Sequence, residues 1–172
     1  MLNGTGLRVV LWVSGCEHNC PNGQTPITWN PENGIPYTEW DEAEVFTWLS
    51  KSWTEGITFS GGDPLHPSNR REIRRIARKV RELYPEKNIW LYTGYELKET
   101  ENGFVFIDKN TNQFSIDWLD CIDVIVDGPF EHETRENDIQ NKRKVLWRGS
   151  SNQRVINIPE TLREGKVVTY EY

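Results

Sequence analysis

Short runs of apolar residues recur along the chain, and longer amphipathic stretches separate them. Residues 7–13 are mostly branched and apolar, which is typical of a buried strand. Further runs of this kind follow at residues 56–60, 89–92 and 122–126. Because strands that alternate with helices favour βα units, the pattern predicts an α/β fold with a mostly parallel sheet.

Two stretches between these strands show the helical spacing of apolar residues. One covers residues 38–53, and the other covers residues 70–84. Ser68 is the predicted N-cap of the second helix, and Pro85 ends it. These stretches supply the helices that βα units require.

The second half of the chain has weaker signals. Residues 104–107 and 113–116 alternate apolar and polar positions around an Asn-Thr-Asn turn, which predicts a local hairpin. Residues 154–157 and 167–170 predict short late strands. No repeat, low-complexity segment or linker interrupts the pattern, so we expect a single domain over residues 1–172.

Composition narrows the functional class. The 172 residues carry a net charge of −6, which argues against nucleic acid as the main partner, because phosphate binding needs a positive surface. No apolar run approaches the roughly 18 residues of a membrane span, and no secretory signal is visible. Three cysteines give no disulfide framework, so a reducing cytoplasm is the expected compartment.

Small and polar residues directly follow four of the predicted strands. In parallel sheets, functional groups gather at the carboxyl ends of the strands. The loops at these ends cover residues 14–26, 60–64, 93–94 and 127–130. This layout predicts a cofactor pocket at one edge of the sheet.

Several stretches of the chain resemble one protein family. They are N-G-T-G-L-R at residues 3–8, the cysteine loop with its continuation at residues 13–30, T-F-S-G-G-D-P-L at residues 58–65, and three shorter motifs at residues 90–95, 123–130 and 147–154. In this order they are similar to the activating proteins of anaerobic ribonucleotide reductase, which are small radical S-adenosylmethionine (SAM) enzymes. The family usually has a short segment before the first motif, so an edge strand is expected to be missing.

The resemblance implies a fold and an activity. The fold is an incomplete (β/α) barrel of the radical SAM type. A [4Fe–4S] cluster would pass one electron to SAM, which breaks into methionine and a 5′-deoxyadenosyl radical. That radical would take a hydrogen atom from a glycine of the reductase large subunit and leave a glycyl radical there. An electron donor such as flavodoxin or ferredoxin is also implied, and neither nucleic acid nor a membrane is expected as a partner.

The resemblance also assigns residues to both cofactors. Cluster loops of the family follow the pattern C-x3-C-x2-C, and the implied iron ligands here are Cys16 and Cys20. Gly61 and Gly62 would let the backbone approach the methionine part of SAM, and Asp63 would lie near its amino group. The full set implied to contact SAM is Asn22, Gly23, Gln24, Ser60, Gly61, Gly62, Asp63, Thr93 and Asp127.

The chain departs from the family at the third ligand position. Gly23 stands there without a donor atom, and Thr25 replaces the usual asparagine two residues later. Cys121, the remaining thiol, precedes a predicted strand at the opposite end of the sheet, where burial as a small hydrophobic residue is expected. A cluster with two thiolates would be weakly held. We therefore expect poor cluster binding and slow or absent glycyl radical formation.

Other interpretations of the same residues stay open. Cys16 and Cys20 are alternatively ordinary buried cysteines, or a zinc or thiol-redox module to which His18 adds a ligand. Residues 60–64 and Asp127 are alternatively turn residues. The arginine-rich helix is either a solvated face or a docking surface for an acidic partner. A further alternative is a cluster-deficient relative that keeps the fold and binds SAM or the reductase without catalysis.

Overall fold

Strands and helices alternate in the computed structural model, which describes residues 3–23 and 25–170. The strands are β1 (Leu7–Val13), β2 (Thr54–Gly61), β3 (Asn88–Tyr92), β4 (Glu96–Thr100), β5 (Gly103–Ile107), β6 (Gln113–Phe114), β7 (Val124–Asp127) and β8 (Arg154–Asn157). The α-helices are α1 (Glu39–Leu49), α2 (Arg70–Leu83), α3 (His132–Gln140) and α4 (Ile158–Glu164).

The main sheet has five strands in the order β1-β2-β3-β7-β8. The first four of these run parallel, and β8 pairs antiparallel with β7. A separate antiparallel sheet contains β4, β5 and β6. The α/β class and the mostly parallel sheet are therefore confirmed. The incomplete barrel and the single domain stay predictions.

Alternate residues of the main sheet belong to two different apolar layers. Phe59, Leu91 and Ile125 lie in the larger core cluster. The helix α2 contributes its apolar stripe to the same cluster through Ile73, Ile76, Ala77 and Val80. The smaller cluster contains Trp90, Val124, Val126 and Val155. The alternation follows from the pleat of the strands, because successive side chains point to opposite faces.

The helix α1 is shorter than predicted. Thr38 is its N-cap and forms a capping box with Asp41, so the helix begins at Glu39. The helix ends at Leu49, where Ser50 is the C-cap. The chain then turns directly into β2 instead of continuing the helix to residue 53.

The N-cap of α2 is Asn69, so the prediction of Ser68 is wrong. Asn69 donates from its side-chain amide to the carbonyl oxygens of Ser14 and Asp63, both at 2.9 Å. Ser68 instead places its Oγ 2.6 Å from Nδ1 of His66. The start of α2 is thereby tied to the loops that follow β1 and β2.

The second half of the chain differs most from the hydrophobic pattern. The predicted hairpin is present as β5 and β6, but β4, α3 and α4 were not predicted. β4 has the sequence E-L-K-E-T and buries Leu97 alone among its five residues. The late strand predicted at residues 167–170 is an isolated bridge between Ile156 and Thr169. Short polar elements such as β4 depend on neighbouring strands, so they leave little trace in local sequence.

Arg8 joins three strands on one face of the main sheet. Its Nε donates to Oγ1 of Thr58, and its Nη2 donates to Oδ1 of Asn88, each at 2.7 Å. The guanidinium carbon lies 5.4 Å from the centre of the Trp90 ring. Burial lowers the pKa of Arg8 to about 10. Arg8 therefore links β1 to β2 and β3.

We expect Arg8→Met to lower the free energy of unfolding by about 1–3 kcal/mol, because Thr58 and Asn88 would lose a charged donor. Urea denaturation at constant pH measures this change. Arg71→Met is the matched control, since Arg71 is exposed on α2, and it should change stability by less than about 0.5 kcal/mol. Equal losses in the two variants would contradict the role assigned to Arg8.

Candidate functional site

The loops after β1, β2, β3 and β7 meet at the carboxyl edge of the main sheet and line one cavity of about 360 Å³. Because these strands are parallel neighbours, their carboxyl ends lie at the same edge. The residues predicted to bind a cofactor that line this cavity are Cys16, Cys20, Gly23, Ser60, Gly61, Gly62 and Thr93. The convergence predicted from the strand order is therefore present.

Asn22 and Asp127 are not among the lining residues of this cavity. Asn22 is exposed in a turn, with a φ of 53°. Asp127 is fully buried at the end of β7, where it accepts hydrogen bonds from the backbone N of Leu97 at 2.7 Å and from Nε of Arg154 at 2.9 Å. Gln24 lies outside the described residues. The SAM contacts assigned to these residues stay predictions.

Two glycines allow the loops after β1 and β2 to touch. The backbone N of Gly62 donates to the carbonyl of Val13 at 2.7 Å, and that of Asp63 donates to Gly15 at 2.8 Å. A Cβ on Gly62 would lie 2.6 Å from the Gly15 oxygen. Gly61 has a left-handed φ of 108°. Both glycines are therefore needed for the contact between loops, apart from any approach to SAM.

The carboxylate of Asp63 is used inside the protein. The residue is 1% exposed, and its Oδ1 accepts from the backbone N of Leu65 at 2.8 Å. Its Oδ2 accepts from the backbone N of Gly94 at 2.9 Å, and Oγ1 of Thr93 lies 3.0 Å from both oxygens. Nε2 of His18 lies 2.6 Å from Oδ2. The predicted contact of Asp63 with the SAM amino group stays a prediction, and it would share oxygens that already have partners.

Cys16 and Cys20 are free, half-buried thiols. The backbone N of Cys16 donates to the carbonyl of Trp29 at 3.0 Å, which fixes this residue beside the cavity. Burial raises the pKa of Cys16 to about 11, and the charges of Asp63 and Cys20 act in the same direction. Because a thiol binds metal as the thiolate, metal capture by Cys16 must release a tightly held proton.

The described residues supply two of the three thiolates in the C-x3-C-x2-C pattern. Within residues 3–23 and 25–170, no three side chains of His, Cys, Asp or Glu are grouped so as to hold a metal ion. Cys121 is buried in a short turn that precedes β7, as predicted. A [4Fe–4S] cluster with three cysteine ligands therefore does not fit the chain as it stands.

Position 23 nevertheless has room for a thiol. Gly23 lines the cavity, and its φ lies outside the left-handed region. A Cβ at this position would lie 3.8 Å from the Cβ of Cys20. It would also lie 3.1 Å from the Cys20 carbonyl oxygen, a close contact that a shift of a few tenths of an ångström relieves. Position 23 therefore lacks a donor atom, and its backbone accepts a Cβ with a small shift of the neighbouring carbonyl.

Two arginines without a role assigned from sequence line the same cavity, Arg135 of α3 and Arg148. Nη1 of Arg148 donates to the carbonyl of Gln153 at 2.7 Å, while its Nε is buried without a hydrogen-bond partner. No Asp or Glu is among the described residues that line the cavity. The cavity therefore favours a ligand with a negatively charged group. Arg148 belongs to the motif at residues 147–154 that resembles the family, whereas no sequence motif includes Arg135.

The basic face of α2 is largely paired within the chain. Glu42 of α1 forms ion pairs with Arg75 and Lys79. Arg74 pairs with Asp117. The interpretation as a solvated, internally paired face is therefore simpler than a docking surface for an acidic partner.

Comparison with protein families places the chain among iron–sulfur proteins. A family model described as a 4Fe–4S single cluster domain matches residues 2–156. A relative from Enterobacteria phage T4, named anaerobic ribonucleoside-triphosphate reductase-activating protein, is 40% identical over 154 residues, which cover 90% of this chain and 86% of the relative. The protein of the same name from Escherichia coli K12 is 37% identical over 155 residues, which cover 89% of this chain and 90% of the relative. The chain belongs to this family of reductase-activating proteins.

More distant relatives carry the same name. The protein from Vibrio cholerae is 35% identical over 155 residues, which cover 89% of each chain. None of the solved structures matches the chain. In the described part of the chain, no helix has both the length and the apolar character that crossing a membrane requires.

We expect Cys16 of the metal-free protein to react slowly with iodoacetamide at neutral pH, and faster as the pH rises toward its raised pKa, because the thiolate is the reactive form. The same thiol in protein unfolded by urea should react at least about tenfold faster. Peptide mass spectrometry over time measures the rate at Cys16 separately from the other thiols. Equal rates in folded and unfolded protein would refute the effect of burial.

Proposed function

We propose that this chain is an activator of anaerobic ribonucleotide reductase, a role in which a glycyl radical is generated on the reductase large subunit, and that Gly23 limits this activity. Cys16 and Cys20 would hold part of a [4Fe–4S] cluster, which would supply the reductive cleavage of SAM in the cytoplasm, with electrons from a donor such as flavodoxin or ferredoxin. The observation that carries the proposal is that Cys16, Cys20 and the glycines at the end of β2 line the same cavity. The names of the relatives and the 4Fe–4S family model support it.

The chain's own groups suit SAM in distinct ways. The glycines after β2 expose backbone at the cavity wall, and Thr93 adds a hydroxyl. Arg135 and Arg148 bring positive charge to a cavity that no described Asp or Glu lines, which suits the carboxylate of SAM. The rings of Trp29 and Phe130 lie in the same lining and would exclude water around the ligand.

The missing thiolate limits this activity. Cys16 and Cys20 are the implied iron ligands, and the backbone amide at Gly23 would be a far weaker donor to iron than a thiolate. We therefore propose that the chain as it stands retains a cluster poorly and forms glycyl radical slowly or not at all.

Gly23 also favours a second candidate function. A cluster-deficient relative would keep the fold and bind SAM or the reductase without catalysis, and the arginines of the cavity do not depend on a third thiolate. A zinc or thiol-redox module has less support. Nε2 of His18 is already bonded to Asp63, and the described residues offer no group of three metal ligands.

Gly23→Cys is expected to restore cluster binding and SAM cleavage, because the new thiol would complete the set of three thiolates. After anaerobic reconstitution with iron and sulfide, the iron content should rise to about four per chain, with the visible absorption of the cluster. The unmodified chain should stay well below this value. SAM cleavage under reducing conditions and the glycyl radical signal of added reductase, by electron paramagnetic resonance, measure activity.

Gly23→Ala is the matched control, because it adds the same Cβ without a donor atom, and it should behave like the unmodified chain. Reductant must be present throughout, since a thiol at position 23 would be within disulfide reach of Cys20. A full cluster with rapid SAM cleavage in the unmodified chain would overturn the proposed weak binding. A Gly23→Cys protein that holds four irons and leaves SAM intact would overturn the proposed SAM chemistry.

A further inference from the structure

His18 lies between the two cysteines of the loop and is fixed on three sides. It is 8% exposed, and its Nε2 lies 2.6 Å from Oδ2 of Asp63. Because a carboxylate can only accept, Nε2 is the donor in this hydrogen bond. The imidazole ring also packs edge-on against Tyr95, with ring centres 4.5 Å apart. On the other side of the residue, Nζ of Lys109 donates to the His18 carbonyl at 3.0 Å.

The acceptor of this hydrogen bond is itself held in place. The backbone N–H groups of Leu65 and Gly94 donate to the two oxygens of Asp63, and Thr93 adds its hydroxyl. Because these donors belong to the loops after β2 and β3, the carboxylate would keep its position without His18. The loops after β2 and β3 therefore hold Asp63 in place, and Asp63 in turn positions the cysteine loop through His18.

Gly94 leaves the space that the imidazole fills. A Cβ on Gly94 would lie 2.4 Å from Cδ2 of His18, which no side chain at that position can satisfy. The backbone N of Gly94 donates to Oδ2 of Asp63, and the missing side chain of Gly94 leaves room for His18, which donates to the same oxygen. The loop after β3 is thus shaped around His18.

We propose that His18 is a positioning residue that holds the cysteine loop, in its metal-free state, against the sheet edge through Asp63 and Lys109. The hydrogen bond from Nε2 to Asp63 and the bond from Lys109 to the carbonyl are together called the His18 anchor. The anchor sets where Cys16 and Cys20 stand at the cavity before any metal arrives. Whether this positioning of the two cysteines contributes to activation of the reductase rests on the proposed function. The His18 anchor itself is a property of the metal-free loop.

The test compares substitutions that separate hydrogen bonding from packing. His18→Phe keeps a ring against Tyr95 and removes the donor. His18→Gln keeps an N–H donor at a similar reach and removes the ring. His132→Phe is the matched control, because it makes the same change at a histidine of α3 whose side chain is 37% exposed. Lys109→Met removes the second part of the anchor alone.

Hydrogen exchange followed by mass spectrometry gives the first readout, on metal-free protein under reducing conditions. In His18→Phe we expect amides within residues 14–23 to exchange about tenfold faster, as the loss of one buried hydrogen bond to a charged group predicts. Alkylation of Cys16 should accelerate in parallel. His18→Gln should restore most of the protection, and His132→Phe should match the unmodified chain. Exchange in the core strands reports whether any variant has lost global stability.

Two results would overturn the anchor. One is unchanged exchange of residues 14–23 in His18→Phe. The other is equal loosening in His18→Gln and His18→Phe, which would assign the effect to ring packing. If His18→Phe does not fold, Lys109→Met decides: faster exchange confined to the cysteine loop supports the anchor, and unchanged exchange overturns it.

A second arm separates this inference from the proposed function. In the Gly23→Cys background, His18→Phe should lower the iron retained after anaerobic gel filtration, and His18→Gln should recover it. Equal retention in all of these proteins would overturn a role of the anchor in holding the loop for metal. Absence of SAM cleavage in Gly23→Cys itself, with the loop still protected from exchange, would count against the proposed function and leave the anchor intact.

Discussion

The buried carboxylate of Asp63 is the group around which the site is built. A charged group at 1% exposure is tolerated only when donors satisfy it, and these donors come from every loop that reaches the cavity from β1, β2 and β3. His18 belongs to the first loop, Leu65 to the second, and Thr93 with Gly94 to the third. The three loops therefore meet around a single carboxylate, and the cysteine loop takes its position from the other two.

Much of the fold could be predicted because apolar strands and amphipathic helices leave local patterns in the sequence. β1 and β3 are short runs of apolar residues that end at small or polar ones, and the spacing of apolar residues alone indicates the buried face of α2. The prediction that residues 7–13 form a buried strand is wrong, because β1 is an edge strand of the main sheet and none of its residues is buried. β4 and α3 carry no such signal. The sequence of α3, H-E-T-R-E-N-D-I-Q, has no apolar stripe, and its buried residue is Asp138. Elements of this kind are stabilised by contacts that are distant in sequence, so local patterns miss them.

The site was predictable in its location and less so in its details. Strand order placed Cys16 and Cys20 near the glycines after β2, as the structure has them. The sequence could not show whether a carboxylate at a strand end points into a cavity or into the protein. Asp63 and Asp127 both lie at or just after such strand ends, and both carboxylates accept hydrogen bonds from groups inside the protein. Arg135 could not be predicted for a different reason. It lines the cavity because it lies on α3, and the hydrophobic pattern of the sequence does not predict that helix.

The internal bonding of the cysteine loop also bears on conformational entropy. Fixing the backbone of one residue costs about 1–2 kcal/mol at room temperature, and a loop that becomes ordered only around a metal must meet that cost at the moment of capture. Here Gly15, Cys16 and His18 are already fixed by bonds to the rest of the protein. Folding has thus met the ordering cost of these three residues before a metal ion arrives. Gly23, which offers no donor atom, therefore lowers the bond energy of metal capture without adding to this entropic cost.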